Sequence, residues 1–204
     1  MSPWPDPSEP VARVKLHFSD LDEKALDNLS AGTRLGDTLF LAADEHASIE
    51  SLAKSRSEWG GHRSFALDSL LPVSFPDEEA DLEGLAAEDG WLWVVGSHGR
   101  TRPKPEKAPD ATINLDKLAD LNNTASRAFL ARIPLVEQEG RWTPVATDGD
   151  RRAGILRQKA HGNPLSKALK RDALLRPFTR IPAKEGGIDV EGIAVCDGRV
   201  ALAG

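Results

Sequence analysis

A sixteen-residue line, DLEGLAAEDGWLWVVG over residues 81–96, returns as DVEGIAVCDGRVALAG over residues 189–204. Asp81/Asp189, Glu83/Glu191, Gly84/Gly192, Ala86/Ala194, Asp89/Asp197, Gly90/Gly198 and Gly96/Gly204 are identical, while Leu82/Val190, Leu85/Ile193 and Leu92/Val200 stay apolar. Two lines this similar mark an internal repeat, which constrains the fold more than any other feature of the chain. Each copy reads as strand, Asp-Gly turn, strand, the turn chemistry that a two-residue hairpin favours. A weaker copy begins at Leu29. Aligned on Leu82, its Gly36-Asp37 falls on Asp89-Gly90 and its Leu39-Phe40 on Leu92-Trp93.

The offsets suggest a period. Leu29 and Leu82 are 53 residues apart, and Asp81 and Asp189 are 108 apart, about twice as far. A further unit is therefore expected near residue 135, where AFLARIPLV (128–136) and RWTPVA (141–146) supply two strand-like runs joined by Glu137-Gln-Glu-Gly140. A period of roughly 50 residues with several short strands per unit is the mark of a β-propeller. The expected fold is all-β and propeller-like: about four blade units of roughly 50 residues, forming a partial propeller with short helical insertions.

The remaining segments fit between these units. Residues 1–10 are proline-rich and extended, leaving 11–204 as one propeller-like domain that is incomplete at its C-terminus. Residues 11–18 and 62–70 alternate like strands. Residues 20–28 and 48–57 read as short turns or helices, 117–123 as a helical turn, and 164–175 as the best helix. Residues 71–80 form an acidic loop and 100–110 a basic, proline-rich one.

A chain of 204 residues that is 40% hydrophobic can bury a sizeable core. Its formal charge of −6 gives no bulk reason to expect nucleic acid. The N-terminus lacks the basic and apolar regions of a signal peptide, and no stretch approaches a membrane span, so the expectation is a cytoplasmic protein with no membrane partner. Cys196 has no cysteine partner in the chain and is expected to be a packing residue.

Residues 62–102 (HRSFALDSLLPVSFPDEEADLEGLAAEDGWLWVVGSHGRTR) and 176–204 (RPFTRIPAKEGGIDVEGIAVCDGRVALAG) resemble a bacterial family known as domain of unknown function 3616. That resemblance implies a propeller-like all-β fold and supplies no activity. The Asp-x-Glu-Gly-[Leu/Ile]-Ala line is also distantly similar to phytase-like and esterase-like propellers. In the family the second signature strand runs on into a Leu-Arg-Gly-Pro segment and further blades. Here Gly204 is the last residue, which implies a truncated member with an open sheet edge available for association.

Two groups of residues carry candidate chemistry. Asp81 and Glu83, and likewise Asp189 and Glu191, stand two apart along a strand and so project from one face. Four carboxylates facing one channel would raise each other's pKa or hold a hard cation such as Ca²⁺ or Mg²⁺. The commoner use of such acids is to accept backbone hydrogen bonds or to pair with Arg between blades. The second group is the loop bearing Ser97, His98, Arg100, Arg102, Lys104 and Lys107, together with Asp44, Glu45 and His46 from the equivalent loop of the first unit. One histidine among several cations could hold a small anionic ligand, with His98 as the candidate catalytic group. Trp91 and Trp93 share a face and are expected to pack between blades. The sequence therefore points to a ligand-binding or interaction scaffold, with a small anion or a protein as partner. The alternative is a metal-assisted hydrolase of an anionic phosphate or carboxylate ester.

Overall fold

A computed structural model describes residues 13–19, 21, 23–43, 47–75, 78, 80–102, 119–122 and 125–204. The protein is all-β, 46% strand and 14% helix, with curled sheets that agree with a partial propeller-like architecture. The first sheet is an antiparallel meander of β2 (Leu29–Leu35), β3 (Thr38–Ala43), β4 (Ser48–Ser55) and β5 (Glu58–Ala66). β1 (Lys15–Leu16) joins its outer edge in parallel, after which helix α1 (Glu23–Asp27) leads into β2.

The second sheet begins after helix α2 (Leu67–Leu70) with β6 (Leu82–Glu88), β7 (Trp91–Gly96) and β8 (Leu130–Gln138). Its fourth position is shared along one edge of β8. β9 (Arg141–Pro144) pairs with Leu135 to Gln138, while Ala131 and Arg132 pair with β12 (Gly154–Ile155). A small hairpin, β10 (Thr147–Asp148) and β11 (Arg151–Arg152), lies between them in sequence. Helix α3 (Pro164–Leu169) and two 3₁₀ turns (Arg176–Arg180 and Ala183–Glu185) then lead to the last hairpin, β13 (Gly192–Cys196) and β14 (Arg199–Ala203).

The repeat survives in three dimensions. Asp89-Gly90 and Asp197-Gly198 both take positive φ, at 49° and 73° and at 51° and 70°, the geometry that lets a two-residue turn follow the strand twist. Leu29/Ala31 and Leu82/Gly84, matched residues of the two copies, carry the same register shift in their hairpins. The unit expected near residue 135 is placed differently. Leu130–Gln138 and Arg141–Pro144 are the third and fourth strands of the second sheet, in register with β7 from Trp91↔Pro134 to Val95↔Leu130. The 108-residue offset thus comes from one sheet enlarged by two insertions, after Gly96 and after Pro144, and not from an additional unit. Residues 48–55, expected as a turn or helix, are the strand β4 with Ile49 to Leu52 all buried. A strand with neighbours on both edges and both faces covered loses the alternation that identifies a half-exposed one.

The core lies between successive sheets. Phe40 and Ile49 of the first meet Leu82, Leu85, Leu92, Val94, Ile133 and Leu135 of the second. Polar stitches cross the same seam: the Ser30 hydroxyl donates to the Leu82 carbonyl at 2.5 Å, and the Trp142 amide donates to Thr38 Oγ1 at 2.9 Å. β13 packs in turn on β6, where a Cβ on Gly84 would lie 2.8 Å from Val95 Cγ1 and 2.9 Å from Ile193 Cγ2. Cys196 corrects its expectation. It is exposed near the tip of the last hairpin and packs in no core. Trp91 and Trp93 stay half-buried beneath Arg132, whose guanidinium lies 4.4 Å from the Trp91 ring centre.

Candidate functional site

The two repeat lines meet beside Ser97. Asp81 precedes β6 with φ of 50°, a left-handed conformation that Asp tolerates better than most residues, and it is buried. Its carbonyl accepts from the Ser97 amide at 3.0 Å, and the Ser97 carbonyl accepts from Val190 at 2.7 Å, so the chain before β6 and the chain before β13 are clamped to one segment. The last glycine of the first copy makes this approach possible, because a Cβ on Gly96 would lie 2.8 Å from the Ala80 and Arg127 carbonyls.

Of the four expected acids, Asp189 lies near enough to Asp81 and Glu191 for their charges to act on it, beside a cation that sequence reasoning missed. Arg127 Nη1 donates to Asp81 Oδ2 at 2.7 Å. Asp189 is pushed up to about 6 by burial first, then by the charges of Glu191 and Asp81 and a hydrogen bond with Glu191, while Arg127 pulls the other way. Among the described residues no three His, Cys, Asp or Glu are placed to hold a metal ion. Glu83 is half-buried on β6 and has an interaction partner of its own.

The sign of the resulting pH dependence follows from linkage. The native state holds the Asp189 proton up to about pH 6, whereas the unfolded carboxyl releases it near 4. Asp189 therefore costs stability as pH rises through that window, and the cost is constant above it. Asp189→Asn is expected to raise stability at pH 7.5 by less than about 1 kcal/mol, since the group is partly in solvent. Thermal melts at several pH values check this: the advantage should vanish near pH 4, and an advantage independent of pH would sink the assignment.

His98 takes positive φ (53°) and turns into the protein. Its Nδ1 lies 2.9 Å from the Gly96 carbonyl, which can only accept, so Nδ1 carries the proton. Its Nε2 then accepts from Asn163 Nδ2 at 3.2 Å, the Asn163 oxygen being occupied by the Ser166 amide at 2.9 Å. Burial pushes the imidazole below its usual range, with the Gly96 and Asn163 bonds acting in opposition. Both His98 nitrogens are engaged elsewhere, so Ser97 and His98 do not form a nucleophile–base pair; the Ser97 hydroxyl oxygen accepts from the Gly99 amide at 3.2 Å.

Of the other expected ligand residues, Arg102 is spent on Glu185, at 2.5 and 2.9 Å. Asp44, Glu45, His46, Lys104 and Lys107 lie outside the described residues. Arg100 lines a cleft whose cavity is about 30 Å³, with His98, His161, Ser166, Lys170 and Thr179 around it. Burial first, then the charges of Arg100 and Arg180, push the Lys170 ammonium below its usual range. Among the described residues none of these three cations has a carboxylate partner. Among the described residues the Lys170 ammonium donates only to the His161 carbonyl, at 3.3 Å. The sole advance signal of Lys170 and Arg180 is the density of Lys and Arg in residues 164–180, of which the sequence marks 164–175 as a helix.

Among the described residues no helix is long and apolar enough to cross a membrane. No curated protein and no solved structure matches the chain. Residues 28–203, which span every strand from β2 to β14 and the basic cleft, match one family, and the chain belongs to it: Protein of unknown function (DUF3616).

Proposed function

We propose that this chain is a non-catalytic β scaffold that binds a small anionic ligand in the cleft lined by Arg100 and Lys170, next to Arg180. The observation that carries this reading is a cavity lined by Arg100 and Lys170, with the charge of Arg180 close enough to act on Lys170 and no carboxylate partner for any of the three among the described residues. Like charges held together cost energy unless something bound repays it, and an oxyanion does so through charge-assisted hydrogen bonds. The Thr179 and Ser166 hydroxyls add neutral donors at the same cleft. A cavity of about 30 Å³ holds little more than one or two waters, so it suits a single phosphate or carboxylate group with the rest of the ligand outside. The hydrolase alternative has less support. Arg127 supplies the cation that the crowded acids need, and His98 has no nitrogen left to act as a base.

The test is titration of inorganic phosphate, sulfate and succinate at low ionic strength, followed by calorimetry and by thermal melting. At ten times the dissociation constant, bound anion should add about 1.4 kcal/mol, roughly 3–5 °C in a chain of this size. Lys170→Met and Arg100→Gln should abolish the shift without lowering the melting temperature of the free protein. Absence of a shift with every anion would refute the reading.

A further inference from the structure

Residues 157–184 differ in net charge from the rest of the chain taken together. They contain eight Lys and Arg and one acid, Asp172, a net +7 that leaves −13 for the rest of a chain whose total is −6. Among the described residues Lys167, Arg171 and Arg176 have no ion-pair partner, and all three are exposed. The same segment holds an apolar tip. Leu174 is 81% exposed, Phe178 45% and Leu175 38%, three of only seven large hydrophobic residues that stand exposed among the described ones.

The tip is held in place. Asp172 Oδ1 accepts from the Leu174 and Leu175 amides at 2.8 and 3.1 Å, so the segment's one acid is used to fix the turn. The Leu175 carbonyl accepts from Phe178, and the Phe178 carbonyl accepts from Ile181 and Ile188. In the 3₁₀ turn that follows, residues three apart eclipse, which brings Leu175 and Phe178 to one side. Leu174 is thus presented on an ordered backbone that leaves four-fifths of it in water.

From this pairing of a protruding Leu174/Leu175/Phe178 tip with flanking Lys167, Arg171 and Arg176, we propose that residues 157–184 dock on an anionic lipid surface. The tip enters the headgroup boundary and the cations meet lipid phosphates. A nucleic acid would engage the cations and leave the leucines without a partner, whereas a lipid interface uses both. The rest of the chain carries a net −13, which the same surface would on balance repel, so the segment of +7 is the part that charge favours at it. A second copy could offer its acidic side to the cations, but an apolar tip that projects into solvent matches a penetrable interface better than a folded surface. The inference goes beyond the anion cleft and uses different side chains.

Co-sedimentation tests it with vesicles of phosphatidylcholine containing about 30% phosphatidylglycerol, against pure phosphatidylcholine, at low and high salt. Binding should need the anionic lipid, weaken as salt rises, and fall about five-fold for each of Lys167→Gln, Arg171→Gln and Arg176→Gln. Leu174→Ser with Phe178→Ser should cut it about ten-fold or more. All five positions are exposed, so melting temperature and circular dichroism should match wild type. None lies in the Arg100/Lys170/Arg180 triplet, and phosphate titration of the same variants separates a failure here from a failure of the cleft. Equal binding to neutral vesicles, or none to anionic ones, would overturn the proposal. So would DNA binding that survives loss of the tip, or a dimer in lipid-free solution that the tip variants dissociate.

Discussion

Replacing Arg127 with Met is expected to destabilise the protein by about 3 kcal/mol, the lower end of the cost of breaking a buried ion pair. The lower end applies because the Arg127 side chain is still 21% exposed, against 9% for Asp81. The reason for the loss lies in what stays behind. Asp81 sits in the clamp joining the two repeat lines, its carboxylate 2.7 Å from the guanidinium, with Asp189 of the other copy near enough for their charges to interact. Without Arg127 the buried Asp81 carboxylate loses this cation while Asp189 stays nearby, and the clamp between β6 and β13 loosens. In a chain of this size the melting temperature should fall by roughly 6–12 °C. The variant Arg127→Met/Asp81→Asn should recover much of that loss, because a neutral pair leaves no buried charge unpaired and Asn accepts the left-handed backbone as readily as Asp. A single variant melting within about 2 °C of wild type would show that Arg127 is not the counter-ion of the cluster.

Gly84→Ala should cost about 2 kcal/mol, while the same change at its repeat partner, Gly192→Ala, should stay within about 0.5 kcal/mol. The two positions are identical in the repeat but not in their surroundings. A Cβ at Gly84 would lie 2.8 Å from Val95 Cγ1, 2.9 Å from Ile193 Cγ2 and 3.0 Å from the Ile193 nitrogen, so the paired strand β7 and the last hairpin must give way. At Gly192 the closest atom is the Ala203 Cβ at 4.0 Å, an ordinary contact. Adding Ile193→Ala should return part of the Gly84→Ala loss, since it removes one of the colliding methyls. The difference between the twin glycines measures whether the last hairpin packs on β6 in solution. If both substitutions are harmless, it does not.

Much of the architecture was legible in advance because its causes are local. Asp-Gly and Gly-Asp pairs favour positive φ wherever they stand, so the turns at Gly36-Asp37, Asp89-Gly90 and Asp197-Gly198 and their flanking strands could be placed from the repeat alone. The Asn163-Pro164 start of α3 is equally local: the Asn163 side chain accepts from the Ser166 amide and Pro occupies the first turn. The repeat also singled out Asp81, Glu83, Asp189 and Glu191, and the electrostatic neighbourhood of Asp189 includes Asp81 and Glu191.

Other features had causes spread along the chain. Leu130–Gln138 looked like the start of a unit and instead joined β7, a pairing that closes a long insertion and leaves no mark in spacing. Residues 48–55 read as a turn because burial on both faces erased their alternation. Arg127 carried no motif, and only the fold brings it to Asp81. Lys170 and Arg180 lie about 70 and 80 residues beyond Arg100, and folding back of the α3 insertion gathers the three. By itself the sequence determined the repeat, its hairpins and its paired acids, since those depend on neighbours within a few residues. The tertiary structure alone decided the sheet boundaries, the counter-ion and the cationic cleft, because each depends on contacts whose entropic cost is met only once the whole chain has packed.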